Sequence, residues 1–137
     1  MIAAVRGPAQ IVSGGRARQA SQGGSVSEGD IIATGANGFL TMRLPDNSIV
    51  SLPSQSRIAV QRLRRVALTQ GVERLFSLVT GRARAVVTPM DSHQDDFRLS
   101  TPVSVSAVRG TEFRARYDEA SARGATEVLE GEVEVSA

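Results

Sequence analysis

The chain has 137 residues and no cysteine, and its sixteen basic residues, all arginine, exceed its fourteen acidic residues by two. This length predicts one domain, and the lack of cysteine excludes disulfides and thiolate metal sites. With four Phe, one Tyr and no Trp, the core must be mainly aliphatic, which suits a β architecture. No apolar run is long enough to cross a bilayer as a helix.

Alternating apolar and polar residues predict about twelve short β-strands joined by turns. The small, polar segment Ser13–Gly24 is expected to be an exposed loop, and Ala17–Gln22 within it is the one stretch whose pattern permits a short helix. The first clear strand is Gly38–Leu44, in which the even-numbered apolar residues share one face.

The second half of the chain continues in the same pattern. Residues 72–79 carry apolar side chains on both faces, which predicts a strand that is covered on two sides. Gly81–Thr88 alternates small apolar residues with two arginines, and Glu112–Tyr117 alternates likewise. Glycines precede strands at positions 71, 81 and 131, which favours the stacked β-turns of a solenoid.

The most informative motif is Arg109-Gly110-Thr111, which joins two β-type runs. A short glycine-containing insert between strands usually marks a bulge or bend, because glycine tolerates unusual backbone angles. An arginine between apolar strands is expected to be partly buried and to pair with a carboxylate, for which Asp30, Asp46 and Glu130 are candidates. The alternative is that Arg109 contacts a partner.

A set of short motifs follows in a fixed order along most of the chain. They are Glu28-Gly29-Asp30, Thr34-Gly35, Gly38–Leu44, Asp46-Asn47-Ser48, Leu52-Pro53, Thr101-Pro102, Val108–Phe113 and Val128–Val135. The ordered set resembles the FecR domain, an extracytoplasmic module of bacterial iron-siderophore signalling regulators and other envelope proteins. Asn47 stands where the family pattern has Gly, and Asn is the next best residue for a turn position with positive φ.

The resemblance implies an all-β, solenoid-like or twisted-sandwich domain over residues 1–137, without catalytic activity. It implies a periplasmic or otherwise extracytoplasmic location and a protein partner, such as the TonB-dependent transducer whose signal leads to release of a sigma factor. Because the chain begins and ends close to the motif set, we expect a piece of a longer protein that has lost its export signal or membrane anchor. Its motif residues, with mainly structural roles and possible partner contacts, are Asp30, Asp46, Arg109, Gly110, Thr111 and Gly131.

A second interpretation keeps the fold and changes the role. Many domains similar to this one accompany peptidoglycan-binding modules, so the chain is alternatively an envelope structural or peptidoglycan-associated module without a sigma-factor partner. With so few aromatic residues, most are needed in the core, and this argues against direct stacking on sugars.

Catalytic and metal sites have little support in the sequence. The single histidine, His93, lies among Asp91, Asp95 and Asp96, which permits a metal site. A solvated acidic turn is the preferred interpretation, because the spacing matches no known metal motif. Asp46 and Glu130 are the nearest candidates for paired catalytic carboxylates. No nucleophile elbow or phosphate-binding loop is present, so we assign no catalytic residue, metal or cofactor.

The arginines raise the question of nucleic-acid binding. Arg57 with Arg62, Arg64 and Arg65 forms one basic cluster, and Arg82 with Arg84 forms another. Scarce aromatics and balancing acids argue against nucleic acid, and charges on an exposed strand also prevent edge-to-edge pairing. Arginine is well suited to phosphate or carboxylate recognition, but the scatter of these residues and a net charge of +2 favour a bias in genome composition.

Overall fold

The computed structural model describes residues 1–44, 47–65, 72–87, 96–108, 112–118, 123–130 and 133–136. All of the regular elements in these ranges are β-strands, which confirms the all-β prediction. The thirteen strands are β1 Ile2–Arg6, β2 Ala9–Ser13, β3 Arg16–Gln19, β4 Ile31–Thr34, β5 Phe39–Arg43, β6 Ile49–Leu52, β7 Arg57–Arg65, β8 Val72–Val86, β9 Asp96–Thr101, β10 Ser104–Val108, β11 Glu112–Asp118, β12 Arg123–Glu130 and β13 Val133–Ser136. Within the described part of the chain, no helix has the length and apolarity of a membrane span.

The fifteen-residue strand β8 belongs to both halves of the fold. Its first part, up to Thr80, pairs with β7 and, in parallel, with β9. Its second part, from Gly81, pairs with β6 and β11. We call the half with strand order β1-β5-β6-β8-β11-β12 sheet A, and the half with order β3-β2-β4-β7-β8-β9-β10-β13 sheet B; together they form one connected sheet.

The two sheets share one aliphatic core, in which the predicted alternation is confirmed. In β5 the buried residues are Leu40 and Met42, and Leu44 continues the same face. The second part of β8 buries Ala83 and Ala85 and leaves Arg82 and Arg84 exposed. The other large buried side chains are Ile2, Ile11, Ile32, Val50, Leu52, Ile58, Val60, Phe76, Leu78, Phe97, Leu99 and Tyr117.

The passage of β8 between the sheets depends on Gly81, which has φ +89°. A Cβ at this position would meet the Ser56 hydroxyl and would lie 2.6 Å from the carbonyl oxygen of Gln55. The next residue, Arg82, donates its N–H to the Ser56 hydroxyl at 2.9 Å. A glycine is therefore required here both by the backbone angle and by the close approach of the 55–56 turn.

A buried threonine fixes the turn against which Gly81 packs. Thr34 donates its hydroxyl to the Pro53 carbonyl at 2.5 Å and accepts the N–H of Ser56 at 3.0 Å. Its own N–H donates to the Ser56 carbonyl at 2.8 Å. The Thr34-Gly35 motif thus ties the end of β4 to the bend in β8.

The segment around residues 13–24 differs from its prediction. Instead of a loop or short helix, Arg16–Gln19 forms β3 and pairs with β2 through a hairpin whose two turn residues, Gly14 and Gly15, have positive φ. Every residue of β3 is exposed, as expected for the segment. The alternation that normally reveals a strand is missing because β3 buries neither face.

The prediction for Asn47 is confirmed. Asn47 has φ +69°, and its N–H donates to the Leu44 carbonyl at 2.9 Å. Leu44 in turn donates its N–H to the Ser48 carbonyl at 2.8 Å, which closes the turn between β5 and β6. Asparagine therefore supplies the left-handed conformation for which the related motif uses glycine.

Replacing Gly81 with alanine tests the bend in β8. The Gly81→Ala variant is expected to lose about 3 kcal/mol of unfolding free energy, because backbone strain adds to overlap with the 55–56 turn. The control is Gly29→Ala, since Gly29 has φ +87° but nothing within 4 Å of its would-be Cβ, and strain alone should cost about 1 kcal/mol. Urea denaturation measures both, and equal losses would contradict the account.

Candidate functional site

The structure describes one of the six predicted motif residues. Asp30 lies immediately before β4. Asp46, Arg109, Gly110, Thr111 and Gly131 lie outside the described residues, as do His93, Asp91 and Asp95. The predicted pairing of Arg109 and the predicted acidic turn around His93 therefore stay predictions.

Asp30 has a structural role in this fold. Its side chain is buried, and its carboxylate accepts the Ser13 hydroxyl at 2.6 Å and the Ser27 N–H at 2.9 Å. Ser13 ends β2, so these two bonds join that strand to the turn before β4. Asp30 thus joins neighbouring segments through one hydroxyl and one backbone donor.

Arg74 on β8 is a buried cation for which the sequence predicted no role. It is 2% exposed, and its Nη1 donates to the Ser48 hydroxyl at 3.3 Å. Its guanidinium carbon lies 5.4 Å from the centre of the Phe97 ring, which itself packs on Phe76. The cation–π contact and the burial of its stem place Arg74 in the core rather than in a binding surface.

The first arginine cluster lies on β7, and Arg62 in it has a structural use. Arg62 forms an ion pair with Glu73 on β8 at 2.9 Å, and this contact raises the pKa of the guanidinium above its usual value. The neighbouring Leu63 donates its N–H to the Glu28 carboxylate at 2.9 Å. Because β4 pairs only with the Arg57–Ala59 part of β7, the Glu28 side chain covers a stretch of the β7 edge next to this pairing.

The second cluster is part of a larger basic surface on the outer face of sheet A. A groove of about 570 Å³ opens there, which we call the arginine groove. Its lining residues are Phe39, Ser51, Pro53, Arg82, Arg84, Arg114, Ala115 and Arg116. The four arginines come from two strands that lie about thirty residues apart in sequence and are neighbours in the sheet.

The register of β8 against β11 sets the four arginines in two facing pairs. Arg82 is opposite Arg116, and Arg84 is opposite Arg114. Like charges that face each other across strands are destabilising. Among the described side chains, no carboxylate forms an ion pair with Arg82, Arg114 or Arg116. The arrangement therefore concentrates positive charge on the outer face of sheet A.

One side of the arginine groove is apolar. Phe39 on β5 is 38% exposed, and Pro53 follows β6 beside it. Ser51 lies opposite Arg84 and so separates this apolar side from the arginines. Guanidinium groups at this density can bind carboxylate or phosphate oxygens, and the apolar side can cover a hydrocarbon part of the same ligand.

The groove offers no evident catalytic or metal-binding chemistry. Among the described residues, its lining contains neither histidine nor a carboxylate that could transfer a proton. In the described ranges there is also no group of acidic or histidine side chains that could hold a metal ion. Anion recognition is the chemistry that its lining residues support.

The sequence contained part of the signal for this groove. Arg82 and Arg84 alternate with buried alanines, and Arg114 and Arg116 alternate with Ala115 and Tyr117, so each pair could be assigned to an outer face. What the sequence could not supply is the pairing of β8 with β11. Arginines that look scattered along the chain are neighbours once this register forms.

Comparisons with known proteins locate the fold among characterised families. The model of the FecR protein family matches residues 30–134. Two crystal structures of a candidate anti-sigma factor from Parabacteroides distasonis ATCC 8503 have a similar fold, each with a TM-score of 0.61 and 22% identity. Each match covers 77% of this chain and 46% of the other, so this chain spans less than half the length of those proteins. No curated protein matches the chain.

The structural role of Asp30 can be measured by removing its carboxylate. Asp30→Ala should lower the unfolding free energy by about 2 to 3 kcal/mol, because two partly buried hydrogen bonds lose their charged acceptor. Ser13→Ala removes only one of these bonds and should cost about 1 kcal/mol. Urea denaturation compares the two variants. A loss for Asp30→Ala no larger than that for Ser13→Ala would contradict this role.

The facing arginines predict that the stability of the fold depends on salt concentration. Arg116→Thr should raise the unfolding free energy by about 0.5 kcal/mol in dilute buffer, because it removes repulsion by Arg82 across the strands. The gain should vanish in 1 M salt, where the Debye length is about 3 Å. The control is Arg16→Thr on β3, whose register partner is Ser13. Thermal or urea unfolding at both salt levels measures the stability of the two variants. A salt-independent loss of stability in Arg116→Thr would contradict the repulsion between Arg82 and Arg116.

Proposed function

This chain belongs to the FecR protein family, and on that premise we propose that it is a non-enzymatic protein-interaction domain in bacterial transmembrane signalling. In this proposal the domain acts in the periplasm. It receives a signal from an envelope protein and passes it to a sigma factor through the protein of which it is part. Its most specific form is a response to iron-siderophore uptake, with a TonB-dependent transducer as partner.

The match of the family model over residues 30–134 is the observation that carries the proposal. The related fold described as a candidate anti-sigma factor supports the regulatory part of it. A groove whose described lining includes four arginines supports the binding of an anionic partner.

The fold has the mechanical properties that an interaction domain needs. β8 runs through both sheets and connects them. A partner that binds one sheet is therefore mechanically coupled to the other sheet. Of the described strands, β1, β3, β12 and β13 each pair with one neighbouring strand, and edges of this kind are where a strand of a partner adds. Strand addition supplies main-chain hydrogen bonds, while an exposed face such as the arginine groove supplies selectivity.

The alternative role is an envelope structural or peptidoglycan-associated module. Direct binding of sugar by stacking needs exposed aromatic rings. The side chains of Phe76, Phe97 and Tyr117 are buried, whereas Phe39 is partly exposed. This distribution gives the described surface a single aromatic contact in the groove, so signalling through a protein partner is the better-supported role.

Affinity capture from the native host tests the proposal. The full-length gene product is tagged and expressed in its host, and crosslinked envelope and membrane fractions are analysed by mass spectrometry. We expect a TonB-dependent transducer and a sigma factor among the specifically enriched proteins. A tagged all-β envelope domain from another family is the control bait. Enrichment of only peptidoglycan fragments and cell-wall proteins would overturn the signalling proposal in favour of the alternative.

A further inference from the structure

We propose that the arginine groove binds an extended acidic peptide segment of a partner protein, with one carboxylate seated at each facing pair of arginines. This inference rests on the proposed function, because it names the chemistry of the partner that an interaction domain would recognise.

The spacing of the arginines matches that of alternate side chains in an extended peptide. Arg82 and Arg84 are two residues apart on β8, as are Arg114 and Arg116 on β11. Alternate residues on a strand are separated by about 6.6 to 6.8 Å, and facing residues on neighbouring strands by about 5 Å at Cβ. A peptide that lies along the strands therefore presents every second side chain to successive arginine pairs.

Carboxylates suit the chemistry of these pairs. Each guanidinium presents several N–H donors in a rigid plane and binds the two oxygens of a carboxylate with charge-assisted hydrogen bonds. A carboxylate placed at Arg82 and Arg116 also offsets the repulsion between them. Binding thereby removes a cost that exists in the free protein, which strengthens the interaction without any movement of the backbone.

The boundaries of the groove favour a short peptide over a long polyanion. Phe39 and Pro53 close one side with apolar surface, and Ser51 lies between them and the arginines. On the other side, the register places Glu127 of β12 opposite Arg114. The basic set thus consists of two arginines on each of two neighbouring strands. Apolar residues border it on one side, and a strand that contains Glu127 borders it on the other. A nucleic acid requires a continuous basic track and several stacking aromatics.

Fluorescence anisotropy with a defined probe tests the inference. The probe is a fluorescein-labelled peptide in which Glu occupies every second position and Thr the others. Its matched control has the same composition, with all Glu residues in one block. We expect the alternating peptide to bind the full chain at least about fivefold more tightly than the block peptide, because only its carboxylates match the arginine spacing. Equal affinity would overturn the inference, as it would reveal unspecific attraction.

Arginine substitutions show where on the chain the alternating peptide binds. Arg82→Gln/Arg116→Gln should weaken binding of the alternating peptide about tenfold or more, since it removes one facing pair. Arg16→Gln/Arg57→Gln removes the same charge from exposed positions of sheet B and should leave the affinity within about twofold. Circular dichroism and thermal unfolding confirm that both variants are folded. Equal effects of the two double variants would overturn the inference.

Two further outcomes separate this inference from its alternatives. A labelled single-stranded oligonucleotide of equal charge should bind more weakly than the alternating peptide. If the oligonucleotide binds more tightly, the acidic-peptide assignment is wrong and nucleic acid is the better ligand. In the host capture experiment, the Arg82→Gln/Arg116→Gln bait should lose the partner that the unaltered bait retains. If the variant bait still captures it, the groove is wrong while the signalling proposal stands.

Discussion

The contact between Gly81 and the 55–56 turn is the constraint on which the rest of this structure depends. At Gly81 the long strand β8 leaves sheet B and enters sheet A, with a positive φ and with Ser56 against its backbone. Thr34 holds that turn from the other side through three hydrogen bonds. Because β8 pairs with four strands in total, a different backbone conformation at this bend would displace its partner strands in both sheets.

The same bend creates the candidate binding surface. From Gly81 onward, β8 alternates buried alanines with exposed arginines, and β11 repeats this alternation opposite it. The small alanines lie in the shared core, while the long arginine side chains share the outer face. Packing on the inside and charge on the outside are therefore two consequences of one register. The Asp30 carboxylate likewise serves the interior of the fold, since it joins β2 to the turn before β4.

Much of the fold could be predicted because local alternation determines it. The faces of β5 and of the second part of β8, and the turn at Asn47, followed from residue types alone. The hairpin strand β3 could not be predicted in this way, because a fully exposed strand has no apolar period. The groove was also beyond sequence reasoning, since the pairing of β8 with β11 is a non-local contact. The family relation was visible in the order of its motifs.

A nuclear magnetic resonance titration can show whether the β8–β11 register assembles a carboxylate-binding surface. The ¹⁵N-labelled chain is titrated with the alternating Glu-Thr peptide, and backbone amide shifts are followed. The account predicts saturable shifts concentrated in residues 81–86 and 114–116, with β3 unaffected. Shifts that spread over arginines of both sheets, or that are strongest around β3 and β7, would contradict it.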